Sequence, residues 1–383
     1  MKYRKFGNLG IEVSALGFGA MRFPTRGNQN QIDEPLAVRM MRYAFDQGVN
    51  YVDTAYPYHG GESERVVAKA LRDGYRDKVY LATKMPIWLV EKSSDFDRFL
   101  REQLAKLETE SIDFYLLHNL HRHTWPKIRD LGVVDWAEKA VAGGAIRYFG
   151  FSFHDDYETL EGILNDYPDW SFCQIQYNYV NEDVQAGTRG LELAASKGMG
   201  VVIMEPLFGG FLAQPPESIR RIFQEAPPKR NAAEWALQWL WNKEEISVVL
   251  SGMSTMEQVV QNVAASGRSG VDSLSAGEME VIDRARERYG ALHAIPCTKC
   301  GYCMPCPQGV DIPKNFELYN DAAIPGHNSL QLNRNLYAQL ADERKAESCV
   351  RCRECESLCP QHIPISEWMP KVHRTLGNTG EAD

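Results

Sequence analysis

Over about the first 270 residues, short runs of β-branched and aromatic residues alternate with longer stretches whose apolar positions recur at helical spacing. The short runs predict strands at 15–19, 49–53, 79–83, 112–117, 147–151, 172–176, 200–204 and 246–250. Helical periodicity falls at 36–47, 62–71, 96–107, 134–142, 158–165, 188–197, 232–242 and 256–264. Gly48, Gly74, Gly143, Gly198 and Gly267 lie just past helix ends, where a left-handed cap is wanted. Strand and helix alternating this often favour an α/β fold of the closed (β/α)8 TIM-barrel kind over an open doubly wound sheet. The 3–13 stretch, with Gly7, Asn8 and Gly10, reads as a hairpin capping the barrel bottom. The loop after the seventh strand contains Pro215, Pro216, Pro227 and Pro228, and is expected to be irregular and to lie on the active-site side.

The pattern stops near Tyr289. Residues 1–288 are therefore assigned to the barrel and 289–383 to a second, small domain rich in Cys and Pro. Eight of the nine cysteines lie between positions 297 and 359, which excludes an evenly cross-linked secreted fold. They form two motifs, Cys297-x2-Cys300-x2-Cys303-x2-Cys306-Pro and Cys349-x2-Cys352-x2-Cys355-x3-Cys359-Pro. Three thiolates at successive x2 spacing hold three corners of an iron-sulfur cubane, and the fourth Cys before Pro ligates the other cluster in two-cluster ferredoxins. On that rule Cys297, Cys300, Cys303 and Cys359 hold one [4Fe-4S] cluster, and Cys349, Cys352, Cys355 and Cys306 hold the second. Two structural zinc sites are the competing reading, although zinc usually pairs two separate CxxC motifs. The first motif departs from the usual spacing before Cys306. Helical periodicity at 314–320 and 330–346, between the motifs, predicts a mainly α-helical ferredoxin-like domain rather than the compact βαββαβ fold. Cys173, inside a strand run, reads as a core residue.

Charge and hydropathy narrow the partners. Forty-two Lys and Arg against 51 Asp and Glu give a net charge of -9, which argues against a nucleic-acid partner. The chain contains no long apolar run and its start carries no apolar leader region, so a cytoplasmic protein with no membrane partner is expected. Two oxidised clusters with four thiolates each would take the charge to about -13, an excess concentrated in the tail. A redox partner docking there through Lys and Arg is the expectation.

Chemistry in such a barrel belongs at the ends of strands. The second, third and fourth predicted strands end in Asp53, Lys84 and His118, and Tyr58 follows Asp53 closely. Singly, these read as a helix cap, a solvated charge, a hydrogen-bonded imidazole and a surface aromatic. Together they form a set in which a Lys cation favours phenolate on a neighbouring Tyr, a carboxylate fixes the Lys, and the Tyr delivers a proton to a carbonyl oxygen.

The segments Asp53-Thr-Ala-Tyr-Pro-Tyr58, Ala82-Thr-Lys84 and Leu116-Leu-His118-Asn119 resemble the motifs of the aldo/keto reductases, a (β/α)8 family that reduces aldehydes and ketones with nicotinamide. The Cys-rich tail is similar to that of a subgroup with a C-terminal 4Fe-4S ferredoxin-like domain. The resemblance implies that Tyr58 is the proton donor, Lys84 and Asp53 tune it, and His118 orients the carbonyl. It places Ser152 and Gln174 on the nicotinamide carboxamide, with Phe153 where the family usually has Asn, and Asn262 on the adenine. Leu207 and Gly209 after the seventh strand and Gly252 after the eighth lie in the loops where barrels bind phosphate, and the backbone at Gly19 approaches the nicotinamide. The family recognises the NADPH 2'-phosphate with basic residues after strand eight. Gly252 to Asn262 contains none, so either NADH or NADPH is expected.

The implied function is reduction of a small carbonyl, or oxidation of an alcohol, with clusters that exchange electrons with a carrier such as ferredoxin. A nucleotide-sensing redox regulator, or the same reductase with purely structural clusters, is the alternative. Two further features stand apart from this set: His121 and His123 read as a solvated loop, and Trp88 as a wall of the substrate pocket or a packing aromatic.

Overall fold

The computed structural model describes residues 1–27, 31–290, 295–323 and 330–377. The chain divides into two compact units, Met1–Pro206 with Ala236–Ser275, and Leu207–Trp235 with Ala276–Asp383. These units differ from a simple cut at 288, because the segment after the seventh barrel strand groups with the C-terminal part.

The first unit opens with an antiparallel pair, β1 (Tyr3–Lys5) and β2 (Glu12–Ser14). Eight parallel strands follow: β3 (Leu16–Gly19), β4 (Tyr51–Asp53), β5 (Tyr80–Met85), β6 (Ile112–Leu120), β7 (Ile146–Phe153), β8 (Phe172–Gln176), β9 (Gly200–Met204) and β10 (Val248–Gly252). They close in order, with β10 pairing both β9 and β3. The strands read as nearly continuous buried runs because both of their faces are covered, one by helices and the other by the barrel interior.

Phe6, in the turn between β1 and β2, is fully buried and packs on Tyr51, Phe114 and Phe172 at centroid distances of 6.1, 4.6 and 5.8 Å. The hairpin therefore plugs the barrel. Gly48, Gly74 and Gly198 have the expected positive φ, whereas Gly143 and Gly267 are right-handed (φ −78° and −64°) and the left-handed turn falls on Gly144. Gly17 and Gly19 lie within β3, as the predicted strand at 15–19 implies.

In the second unit, the proline-rich segment is more ordered than its composition predicts. A helix, Glu217–Glu225, starts directly after Pro216, where a missing N–H is harmless, and it buries Ile219 and Phe223. The helices Ile312–Ala323, Leu330–Ala338 and Ile365–Leu376 enclose a core that includes Phe316, Leu318, Tyr337, Met369, Val372 and Leu376. Helical structure after Leu330 stops at Ala338 instead of running to 346, and two short 3-10 turns, Asp342–Arg344 and Ala346–Ser348, lead into the second cysteine motif. Among the described residues of 295–377 there is no strand.

Candidate functional site

Asp53 is the last residue of β4, and Lys84 lies near the end of β5. The two strands pair in parallel, with Asp53 opposite Ala82, so their terminal side chains meet at the same end of the barrel. Lys84 Nζ donates to Asp53 Oδ1 at 2.6 Å, to the Thr54 carbonyl at 2.9 Å and to Tyr58 Oη at 3.3 Å. The ammonium also lies 4.9 Å from the centre of the Tyr58 ring. Lys84 is fully buried and Asp53 is 3% exposed. Burial pushes the Asp53 carboxyl up and the Lys84 ammonium down, and their mutual attraction opposes both shifts.

His118 sits at a break in the β6–β7 register between Leu117 and Leu120, and Asn119 takes a φ of 62° there. Such an irregularity re-aims side chains at the end of a strand. The His118 ring lies edge-on to Tyr58 at 5.9 Å, and the Trp88 ring packs against it at 5.2 Å. Burial first, then Lys84 and His154, hold His118 well below the usual imidazole range, so its ring is neutral at pH 7. The tetrad expected from strand ends is thus brought together, with Trp88 against its imidazole. Cys173 is a buried core residue, and His121 is hydrogen-bonded to the exposed His123 through its Nδ1.

Of the expected cofactor contacts, Ser152 and Gln174 are direct partners in the β7–β8 register, and both are buried. Ser152 Oγ accepts the Asn119 N–H at 2.8 Å, and Gln174 Oε1 is buried without a hydrogen bond, an acceptor suited to a carboxamide NH2. Phe153 is fully buried. Asn262 donates to Ser251 Oγ at 3.0 Å, which ties the helix Met256–Ser266 to the end of β10. Gly19 pairs Asp53 on one side and Gly252 on the other.

Leu207 and Gly209 belong to the second unit. Gly209 has φ 63°, and a Cβ there would stand 2.6 Å from the carbonyl oxygen of Thr298, one of the two residues between the first two motif cysteines. Glycine is required at that point for the close backbone approach.

Sequence reasoning missed the support behind Lys84. Glu64, Thr83, Gln103 and Tyr115 are all fully buried. Gln103 Nε2 donates to Glu64 Oε1 at 2.6 Å and to the Lys84 carbonyl at 3.1 Å, Thr83 Oγ1 donates to the same carboxylate at 2.7 Å, and Tyr115 Oη donates to Gln103 Oε1 at 2.7 Å. Lys106 Nζ completes the set 3.4 Å from Glu64 Oε2. In the sequence Glu64 and Gln103 look like solvent-facing helix residues. Arg22 was also missed: its side-chain stem lies within 2.7 Å of where a Gly252 Cβ would stand, and its carbonyl accepts from Ser254 Oγ, so a cation from the far end of the sequence sits at the loop after β10.

Among the cysteines, Cys297, Cys300, Cys303 and Cys359 line one cavity together with Ile312, Phe316 and Ile363. Burial raises the Cys303 thiol, and its cysteine neighbours Cys300, Cys297, Cys359 and Cys355 add to the effect. Burial likewise pushes Cys355 up to about 12, followed by Glu356, Cys349, Cys306 and Cys352. The last cysteine of each motif therefore sits with the first three of the other. Among the described residues, no three or more His, Cys, Asp or Glu converge as ligands of one metal ion would.

Residues 15–287 match the aldo/keto reductase family. The chain belongs to that family. Residues 296–363 match a 4Fe-4S dicluster domain. The chain is 28% identical over 313 residues to an L-galactose dehydrogenase of Arabidopsis thaliana, covering 74% of this chain and 94% of that one. It is 27% identical over 296 residues to a probable aldo-keto reductase of Glycine max, covering 68% and 83% respectively. Among solved structures, an aldo-keto reductase from Bacillus halodurans in its holo form aligns with a TM-score of 0.62 and 26% identity, over 74% of this chain and 96% of that one. One from Klebsiella pneumoniae, in complex with NADP and acetate, aligns with a TM-score of 0.61 and 27% identity, over 74% and 94%. This chain is thus an oxidoreductase-family barrel joined to a 4Fe-4S domain. Among its described residues no helix is long and apolar enough to cross a membrane.

Proposed function

We propose that this aldo/keto reductase moves a hydride between a nicotinamide cofactor and a small carbonyl or alcohol, with Tyr58 transferring the proton. The observation that carries the reading is Lys84 Nζ, buried between Asp53 at 2.6 Å and Tyr58 Oη at 3.3 Å. Lys84 directs positive charge at the phenol oxygen, which favours loss of its proton to a developing alkoxide. Asp53 balances the buried ammonium and fixes its direction. Neutral His118 donates a hydrogen bond to the substrate oxygen without adding charge, and Trp88 excludes water beside it. Ser152, Gln174, Asn262 and the strand ends at Gly19 and Gly252 are the cofactor contacts, and the unpartnered Gln174 Oε1 fits a carboxamide donor. Arg22 supplies the cation that the loop after β10 lacks in its own sequence, which allows NADPH as well as NADH. When bound, the nicotinamide supplies or accepts the hydride; relatives solved with NADP and NADPH support its use here.

The two sets of four thiols hold two [4Fe-4S] clusters, which exchange single electrons with a carrier such as ferredoxin. The spread of Cys297, Cys300, Cys303 and Cys359 around a cavity suits a multi-iron cluster better than one zinc ion with Zn–S bonds of about 2.3 Å. Hydride transfer needs no such cluster, so the tail gives the enzyme a second, one-electron port. A cytoplasmic site of action agrees with that chemistry.

Tyr58→Phe is expected to lower kcat/KM for NAD(P)H-dependent carbonyl reduction by at least about a hundredfold while leaving cofactor binding, followed by fluorescence titration with NADH and NADPH, unchanged. Undiminished turnover would remove Tyr58 from the mechanism.

A further inference from the structure

Glu64 is an acid placed where packing alone would put an apolar residue. It lies in the first turn of the helix Ser63–Leu71 and is fully buried. Its Oε1 accepts from Thr83 Oγ1 at 2.7 Å and from Gln103 Nε2 at 2.6 Å, and Lys106 Nζ lies 3.4 Å from its Oε2. All three partners are donors, as an ionised carboxylate requires. Burying a carboxylate is costly even when it is paired, and an apolar side chain of similar size is often as stable, so stability does not account for Glu64. The donors around it form one directed chain. Burial, followed by the charge of Glu64, keeps the Tyr115 phenol protonated well above the ordinary range, and its Oη donates to Gln103 Oε1 at 2.7 Å. The Gln103 amide is thereby turned so that its NH2 faces both Glu64 and the Lys84 carbonyl, 3.1 Å away. At the other end of the same lysine, the ammonium meets Tyr58 Oη at 3.3 Å.

We propose that Glu64 is a positioning residue for proton transfer at Tyr58: through Gln103 it clamps the end of β5 and so directs the Lys84 ammonium at the Tyr58 oxygen. The inference rests on the reading of Lys84 and Tyr58 given above and adds to it a residue that touches neither substrate nor cofactor. Thr83 and Lys84 are neighbours in β5, and the carboxylate holds the first by its hydroxyl and the second by way of the Gln103 amide. Its charge acts as well. Burial disfavours the ammonium form of Lys84, and Asp53 and Glu64 favour it. The titratable groups that face Glu64 are Lys106 on the helix Ser94–Leu107, Lys84 on β5, Tyr115 on β6 and Tyr56 after β4, while Asp53, Tyr58 and His118 face Lys84. The Lys106 side chain is 17% exposed, so water shares its charge and it offsets Glu64 incompletely. Removing the Glu64 charge favours the deprotonated form of each of these groups. The protonated Tyr58 and Lys84 that carbonyl reduction needs are then lost at lower pH.

The test uses the full-length protein, purified anaerobically, with p-nitrobenzaldehyde as the probe and NADH or NADPH as reductant. In Glu64→Gln the amide keeps an acceptor for Thr83 and Gln103 but carries no charge. Its alkaline limb of kcat/KM is expected to move to lower pH by about half a unit or more, whereas Glu64→Asp, which restores the charge, keeps the limb of the parent. Gln103→Met, which keeps the length of the side chain without its hydrogen bonds, is expected to lower kcat about tenfold while KM for the aldehyde stays within about twofold. Glu108→Gln, an exposed carboxylate paired with Arg72 at the end of the helix that carries Gln103, is expected to match the parent. An unmoved alkaline limb in Glu64→Gln, or a parental kcat in Gln103→Met, overturns the role of Glu64, and Gln103→Met decides alone if Glu64→Gln does not fold. Turnover of the probe that is the same in the parent and in Tyr58→Phe, absence from both included, overturns the reading of Tyr58, and the role of Glu64 falls with it.

Discussion

Burial, with Lys84 and His154 nearby, keeps the proton off His118 to well below pH 6.5, and this has a consequence for stability. In the unfolded chain the same imidazole protonates near pH 6.5. Between the two values the unfolded state binds more protons, so stability rises with pH and falls as pH drops below about 6.5, by up to about 1.4 kcal/mol per unit for this one group. Urea unfolding followed between pH 7.5 and 5 should show a steep decline in the parent and a shallower one in His118→Asn. Equal slopes would mean that another group dominates. At this scale the sequence was informative where a residue type is rarely placed without purpose: Asp53, Lys84 and His118 at consecutive strand ends. It was silent on Glu64 and Gln103, because a Glu in a helical first turn has the same local pattern whether it faces water or, as here, is fully buried against Thr83.

The strands and helices were legible from hydrophobic period because a parallel barrel buries both faces of each strand and one face of each helix. What period could not show is how closely elements approach. Gly200, in β9, has a position at which a Cβ would stand 2.1 Å from the Phe6 ring, so the hairpin plug seats only against a strand that lacks a side chain there. Gly200→Ala is expected to cost about 2–4 kcal/mol, since the ring is fully buried and must move. In a Phe6→Leu background the same substitution should cost clearly less, and denaturant midpoints for the four proteins of that cycle measure the coupling. Additive losses would separate the plug from the strand. The irregular segment expected after β9 contains a helix, and the long helix expected before the second motif is cut short at Ala338. Local composition misled in the first of these places: prolines punctuate chain direction without preventing a turn of helix between them.

Over the whole molecule, the two cysteine motifs exchange their last members, and this gives each thiol set a separable signature. Anaerobic preparations should contain about eight iron and eight acid-labile sulfide per chain, with little zinc. Cys359→Ser should remove the cluster held by the first motif, and Cys306→Ser the one held by the second, each halving the iron and leaving a different EPR signal. Loss of both signals from either variant, or retention of both, would contradict the exchanged ligand sets.

Element order, barrel closure, the strand-end set of Asp53, Tyr58, Lys84 and His118, and the two motifs of four cysteines follow from the sequence alone, because each leaves a periodic or spaced trace along the chain. Tertiary structure alone decided two other features: the carboxamide network behind Lys84, and Arg22 beside Gly252. These depend on distances between residues far apart in sequence and on which side of a helix faces water. Neither quantity has a local pattern, since burial is settled only when every element has packed against its neighbours.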